Sequence, residues 1–174
     1  MSVSSQDLFV RRISNDIHVV APRFHFLTGK TLERLHDGAL LPFDFQLSIA
    51  SGTKSNTVAR APERFLVSYD LWQERFSVVR LRDLRKSPLN LSAAAAEAWC
   101  VDNVVLPVSA LPGANQLWAR LEVRSVDQRT SAAPAGDAGI SIISLVELFS
   151  RPPRPQQDHW SLESAAFHLA ELTP

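Results

Sequence analysis

The sequence is short of several things that define protein classes, and each shortage excludes something. It holds a single cysteine, Cys100, so no disulfide can close within the chain and no thiolate zinc site can be assembled. No apolar run approaches the roughly 20 residues that a membrane-spanning helix needs. Charge of either sign is in no surplus: 18 basic and 18 acidic side chains cancel to a formal net charge of zero. A protein that grips phosphate backbones usually carries a basic excess, so nucleic acid is not an expected partner. Glycine is scarce, with six scattered residues, and none completes the G-x-G-x-x-G or G-x-x-x-x-G-K-[ST] pattern that cradles phosphates. There is no G-x-S-x-G elbow to present a nucleophilic serine. Lysine is scarce as well, three residues against fifteen arginines. A GC-rich genome gives this bias most simply; a surface built for bidentate carboxylate pairing would give it too.

What the chain does have is ordinary globular composition, 45% hydrophobic and 21% charged over 174 residues, which suits one domain with a sizeable core. Its dominant pattern is alternation. Asp7 to Ile13 and Asp16 to Ala21 are β-rich runs joined by Ser14-Asn15, the spacing of a hairpin. After Pro22, Arg23 to Phe26 continues in extended form. Phe43 to Ile49 alternates four apolar with three polar residues, which predicts one buried and one wet face. Arg64 to Leu71 places Phe65, Val67, Tyr69 and Leu71 on one side, and Phe76 to Leu81 returns after the turn Trp72 to Arg75. Val104 to Val108 carries Pro107 and reads as a sheet edge or strand end. Trp118 to Val126 sets Ala119, Leu121 and Val123 against Arg120, Glu122 and Arg124.

Helical spacing is rarer. Thr28 to His36 has Leu32 and Leu35 three apart, with Thr28 as a cap and Gly38 as a stop. Asn90 to Cys100 is alanine-rich, and Leu91, Ala94, Ala95, Ala98 and Trp99 follow the spacing of one apolar face. These patterns predict a mainly β protein, an antiparallel β-sandwich of immunoglobulin-like or similar type with two or three short helices. Residues 1–126 form its core and 127–138 a flexible loop. Residues 139–174 pack on the same domain as a helix, a proline-rich segment (151–155) and a final strand, Phe167 to Leu172. Strand is the alternative for 139–149.

No catalytic, cofactor-binding or metal-binding residue is assigned. His18, His25 and His36 share no ligand spacing, and His159 and His168 lie near the end. Cys100 has apolar neighbours, which favours a small buried hydrophobe over a reactive thiol. The most suggestive surface is Trp118, Arg120 and Arg124 on one strand face, because Trp and Arg are enriched in binding hot spots. A solvated face with an internal ion pair explains the same residues. Arg80 and Arg82, in the basic run ending at Lys86, offer a second patch for an acidic partner, or a charged strand end that discourages edge pairing.

The stretches Ala21 to Phe26, Leu32 to Gly38, Val67 to Val78, Ala98 to Cys100 and Leu117 to Val123 resemble a family of small, typically exported bacterial proteins of unknown function, of acidobacterial type and more distantly proteobacterial. The resemblance implies no activity and no site residues. It implies a periplasmic or cell-envelope location, although Met1 to Asp7 shows no signal peptide, so the cytoplasm is the alternative. The expectation is a non-catalytic binding or accessory module for another protein, without a cofactor or a transmembrane segment, and with peripheral membrane association open. A small-molecule or lipid carrier with an apolar cavity is the alternative.

Overall fold

Alternating apolar residues form strands here because one face of each can be buried while the backbone pairs sideways. The computed structural model describes residues 8–126 and 158–172. Within them eight strands form two antiparallel sheets beside two α-helices, as the mainly β expectation requires. Strands β1 (Phe9–Ile13) and β2 (Asp16–Val20) make the first hairpin, with Ser14 turning at φ +54°. The two-residue strand β6 (Leu106–Pro107) pairs with β2 and completes a three-stranded sheet, its proline at the edge.

The larger sheet has the order β5-β4-β3-β7-β8, comprising β3 (Leu41–Ser51), β4 (Thr57–Asp70), β5 (Arg75–Arg80), β7 (Leu117–Ser125) and β8 (His159–Glu163). Its inner face carries Phe43, Phe45, Leu47, Phe65, Val67, Val78, Leu121 and Val123, which share one core with Ile17, Val19 and Leu106 of the smaller sheet. Phe26, from an irregular segment, sits 4.8 Å from the Phe43 ring and 5.4 Å from that of Phe45, both edge-on, the geometry that aromatic quadrupoles favour.

Helix α1 (Gly29–His36) ends as expected at Gly38, which adopts φ +87°. Thr28 stands at its N-cap position, but its side chain makes no capping bond. Helix α2 (Ala93–Asp102) is capped by Ser92, whose hydroxyl accepts from the amide of Ala95 (3.1 Å).

Five local expectations are corrected. Strand β3 has no wet face: Asp44 is fully buried and Gln46 nearly so, because side chains from both neighbouring strands lie over them. The inward face of α2 is the half-buried Ala93 with the buried Ala96, Glu97, Cys100 and Val101, while Ala94, Ala95 and Ala98 are exposed. The spacing was right and the phase was off by two positions, since a glutamate occupies a core position. Leu71 leaves the strand for the turn and is exposed. Arg23 to Phe26 forms a turn and an irregular run, with the Phe24 amide bonded to the Ala21 carbonyl (3.1 Å). The final strand is β8, whereas Leu169–Glu171 is a 3-10 turn and Phe167 makes one bridge to Leu117. The expected loop 127–138, the helix or strand at 139–149 and the proline-rich 151–155 lie outside the described residues.

Glu97 explains the irregular segment. Its Oε1 accepts from the amides of Phe26 (2.9 Å) and Leu27 (2.8 Å), and its Oε2 meets His25 Nδ1 at 2.7 Å. A buried amide without a partner costs about 1–3 kcal/mol, so this carboxylate is what lets the 24–27 segment enter the core without a strand to pair with. Glu97→Ala is expected to destabilise the protein by about 3 kcal/mol, read as a lowered urea midpoint. Glu97→Gln, which keeps an acceptor oxygen, loses less; an unchanged midpoint for the alanine variant contradicts this role.

Candidate functional site

The outer face of the large sheet has a polar middle, with Asp44, Gln46 and Ser48 on β3, Arg64 on β4, Arg120, Glu122 and Arg124 on β7 and His159, Ser161 and Glu163 on β8, and it contains three of the five candidate residues. Trp118, Arg120 and Arg124 lie on this face of β7, opposite Ala50, Ser48 and Asp44 of β3. Arg120 holds Glu163 through two bonds to Oε1 (3.0 and 2.6 Å), and Lys54 reaches Oε2 of the same carboxylate (3.1 Å). These two cations hold the Glu163 carboxyl below the usual carboxylate range. Trp118, Arg120, Glu163, Lys54 and Thr57 line a water-sized depression of about 20 Å³. Trp118 is half-buried and Arg120 exposed.

Arg124 is buried and belongs to the interior of this face. It is the register partner of Asp44 on β3, whose other partner, Arg64 on β4, donates to both Asp44 carboxylate oxygens. A cation–anion–cation row therefore crosses the three central strands, and His159 on β8 extends it beside Arg124. Burial outweighs the two arginines and raises the Asp44 carboxyl above its ordinary value. At His159 burial comes first and the Arg124 charge second, and both disfavour the imidazolium.

Arg80 and Arg82 are drawn the other way. Arg80 sits on the inner side of β5 and donates to the buried Glu63 at 2.5 Å, and Arg82 approaches the same carboxylate at 3.7 Å. Arg82 also reaches the Pro62 carbonyl (3.4 Å). Arg80 is therefore turned inward, whereas Arg82 stays exposed together with Arg85 and Lys86 further along the basic run. The turn before β5 holds the most exposed large hydrophobic side chain of the described residues, Trp72 at 96%. Asp70 fixes this turn by accepting from the amides of Trp72 (2.8 Å) and Gln73 (3.0 Å). Trp72 lies in the turn expected from the sequence, where its own signal is an aromatic residue with no alternating partner.

The pairing of His25 with Glu97 has the form of a carboxylate-oriented base, and His25 is half-exposed. The carboxylate, however, is already engaged by two backbone amides. Cys100, on the same helix, is buried, and burial with the nearby Glu97 pushes its thiol up, away from the nucleophilic thiolate. Gly29-Lys30-Thr31 opens α1, yet position 24, where a phosphate loop needs its first glycine, is Phe24, a core residue. The amides of Phe26 and Leu27, just before the helix, already bind the Glu97 carboxylate. His36 stacks on Tyr69 at 4.3 Å, and His18 lies beside the Asp102 carbonyl (3.2 Å). Among the described residues no three histidine, cysteine or acidic side chains converge as metal ligands, and no helix is long and apolar enough to cross a membrane. No protein-family model, curated protein or solved structure matches the chain.

The His159 environment has a consequence for acid stability. A histidine whose folded value is depressed contributes stability that is complete above its ordinary value near 6.5 and is lost as pH falls through the lower folded value. The urea midpoint of the native protein is expected to fall below about pH 6.5, and His159→Gln is expected to flatten that fall. Parallel curves for the two proteins contradict the assignment.

Proposed function

We propose that this chain is a non-catalytic binding or accessory module that contacts another protein in or near the bacterial cell envelope. The observation that carries the reading is Trp72, almost fully exposed on a turn that Asp70 holds rigid. An indole left in water adds nothing to the core, whereas a rigid aromatic desolvates at little entropic cost when a partner covers it. Leu71 beside it, and Leu84 and Leu89 beyond β5, are exposed as well. Trp118 and Arg120 form the second contact region, with the buried Arg124 supporting that face from within. The envelope placement rests on the family resemblance, and the absence of catalysis on the engagement of Glu97 and the burial of Cys100.

The carrier alternative is less well supported. The aromatic residues that would line a cavity contact one another instead, Phe45 against Phe65 at 5.2 Å and Phe26 against Phe43, so they fill the space between sheet and helix.

Replacing Trp72 with alanine is expected to leave stability within about 0.5 kcal/mol of the native protein, as for an exposed side chain. It is expected to weaken, by at least about tenfold, binding of the partner recovered by photo-crosslinking from position 72 in the source cell. Undiminished affinity contradicts the reading.

A further inference from the structure

The chain following β5 does not leave the sheet. Phe76 and Leu91 exchange backbone bonds of 2.8 Å in both directions, and the Val78 amide donates to the Pro88 carbonyl (3.1 Å). Residues 88–91 therefore run along the edge of β5 and tie down the connection that precedes them. Within that connection the Asp83 amide bonds to the Arg80 carbonyl (3.2 Å), the Lys86 amide to the Asp83 carbonyl (3.1 Å) and the Ser87 hydroxyl to the Leu84 carbonyl (2.8 Å). It is a shaped loop, and between it and the last turn of α2 lies an open groove of about 350 Å³ lined by Arg85, Lys86, Ser87, Pro88, Trp99 and Asn103.

The lining combines two chemistries. Trp99 supplies an apolar wall, its ring held edge-on against the core Phe65 at 5.8 Å, and the exposed Leu84 and Leu89 flank the loop in sequence. Arg85 and Lys86 supply positive charge. The Arg85 side chain is 95% exposed and meets Asp83 only loosely, at 3.6 Å, and Lys86 makes no ion pair among the described residues. The acid next to Asn103 in sequence, Asp102, is already bonded to Arg11 at 2.5 Å. The groove is thus cationic by default, in a chain whose formal net charge is zero. Asn103 donates its side-chain N–H to the Trp99 carbonyl (2.8 Å), which leaves its Oδ1 as an acceptor for a peptide amide.

We propose that this groove receives an acidic, apolar segment of the partner protein, with carboxylates on Arg85 and Lys86 and an apolar side chain against Trp99. The inference rests on the binding-module reading and names the chemistry of the partner. Trp99 is half-buried, so an inserted peptide side chain can reach it, whereas a flat lipid surface would engage the protruding Leu84 and Leu89 and leave it untouched. The volume lies at the lower end of the range for ligand sites, enough for a few side chains and not for a folded domain.

Selection of a random-peptide phage library on the intact protein tests this. The enriched clones are expected to combine Asp or Glu with Leu, Phe or Trp. Their binding is expected to fall at least about tenfold on Arg85→Glu/Lys86→Glu and to weaken as salt is raised. The charge-preserving pair Arg85→Lys/Lys86→Arg retains it. Both positions are exposed, so an unchanged urea midpoint confirms that the variants fold. Clones without acidic residues, clones indifferent to the charge reversal, or no enrichment at all overturn the proposal. Vesicles containing phosphatidylglycerol that bind in place of peptides, and lose binding with the reversal, overturn it in favour of a membrane. Clones lost with Trp72→Ala but not with the reversal remove this groove and leave the module reading standing.

Discussion

Strand β3 is buried on both faces, and the structure depends on how it meets that condition. Its inner face is apolar and its outer face centres on Asp44, which is charged, so the two faces cannot be exchanged. Because side chains alternate along a strand, a slip of one residue would bring Phe43 outward and drive Asp44 among the phenylalanines. Arg64 and Arg124, directly opposite Asp44 on the two neighbouring strands, make the correct register the one in which that carboxylate has cationic neighbours on both sides. Removing either side of such an arrangement strands a charge in a medium that solvates it poorly.

The same economy of charge decides what is left for a partner. Arginines are engaged by acids of the chain itself: Arg64 by the buried Asp44, Arg80 by the buried Glu63, Arg120 by the half-buried Glu163 and, at the surface, Arg11 by Asp102. A planar fork that can bond two oxygens at once suits these sites better than lysine would. The excess of arginine over lysine thus has a use inside the fold. The polar row across the outer face is part of the architecture first and a surface second. What remains outward around β5 is Trp72 at its start, and Arg82, Arg85 and Lys86 beyond its end.

Much of the fold was legible because period-2 alternation is a property of single strands. The hairpin across Ser14-Asn15, the strand bearing Leu121, the edge at Pro107 and the helix ending at Gly38 each carry their own local signal. The failures come from residues whose role is set by something distant in sequence. Asp44 looked solvated because nothing in its strand announces Arg64 or Arg124 overhead. Glu97 has no place in the apolar face read from the sequence, because its partners, the amides of Phe26 and Leu27, precede it by about seventy residues. Arg80 was taken for surface because Glu63, the acid that draws it inward, lies on another strand. Trp118 and Arg120 were placed on the correct face, and Arg124 shares that face but not its exposure. Trp72 and the Trp99 groove needed three dimensions: exposure in one case, the meeting of a loop and a helix end in the other.

The central claim is that the charged row Arg64, Asp44 and Arg124 across the large sheet holds its strands in register. The most direct measurement is the urea midpoint of Asp44→Ala with both arginines retained. The account predicts a loss of about 3–5 kcal/mol, the cost of leaving buried cations without their anion, with part of it recovered when Arg64 is also replaced by an apolar residue. An Asp44→Ala protein that unfolds at the native midpoint would contradict it.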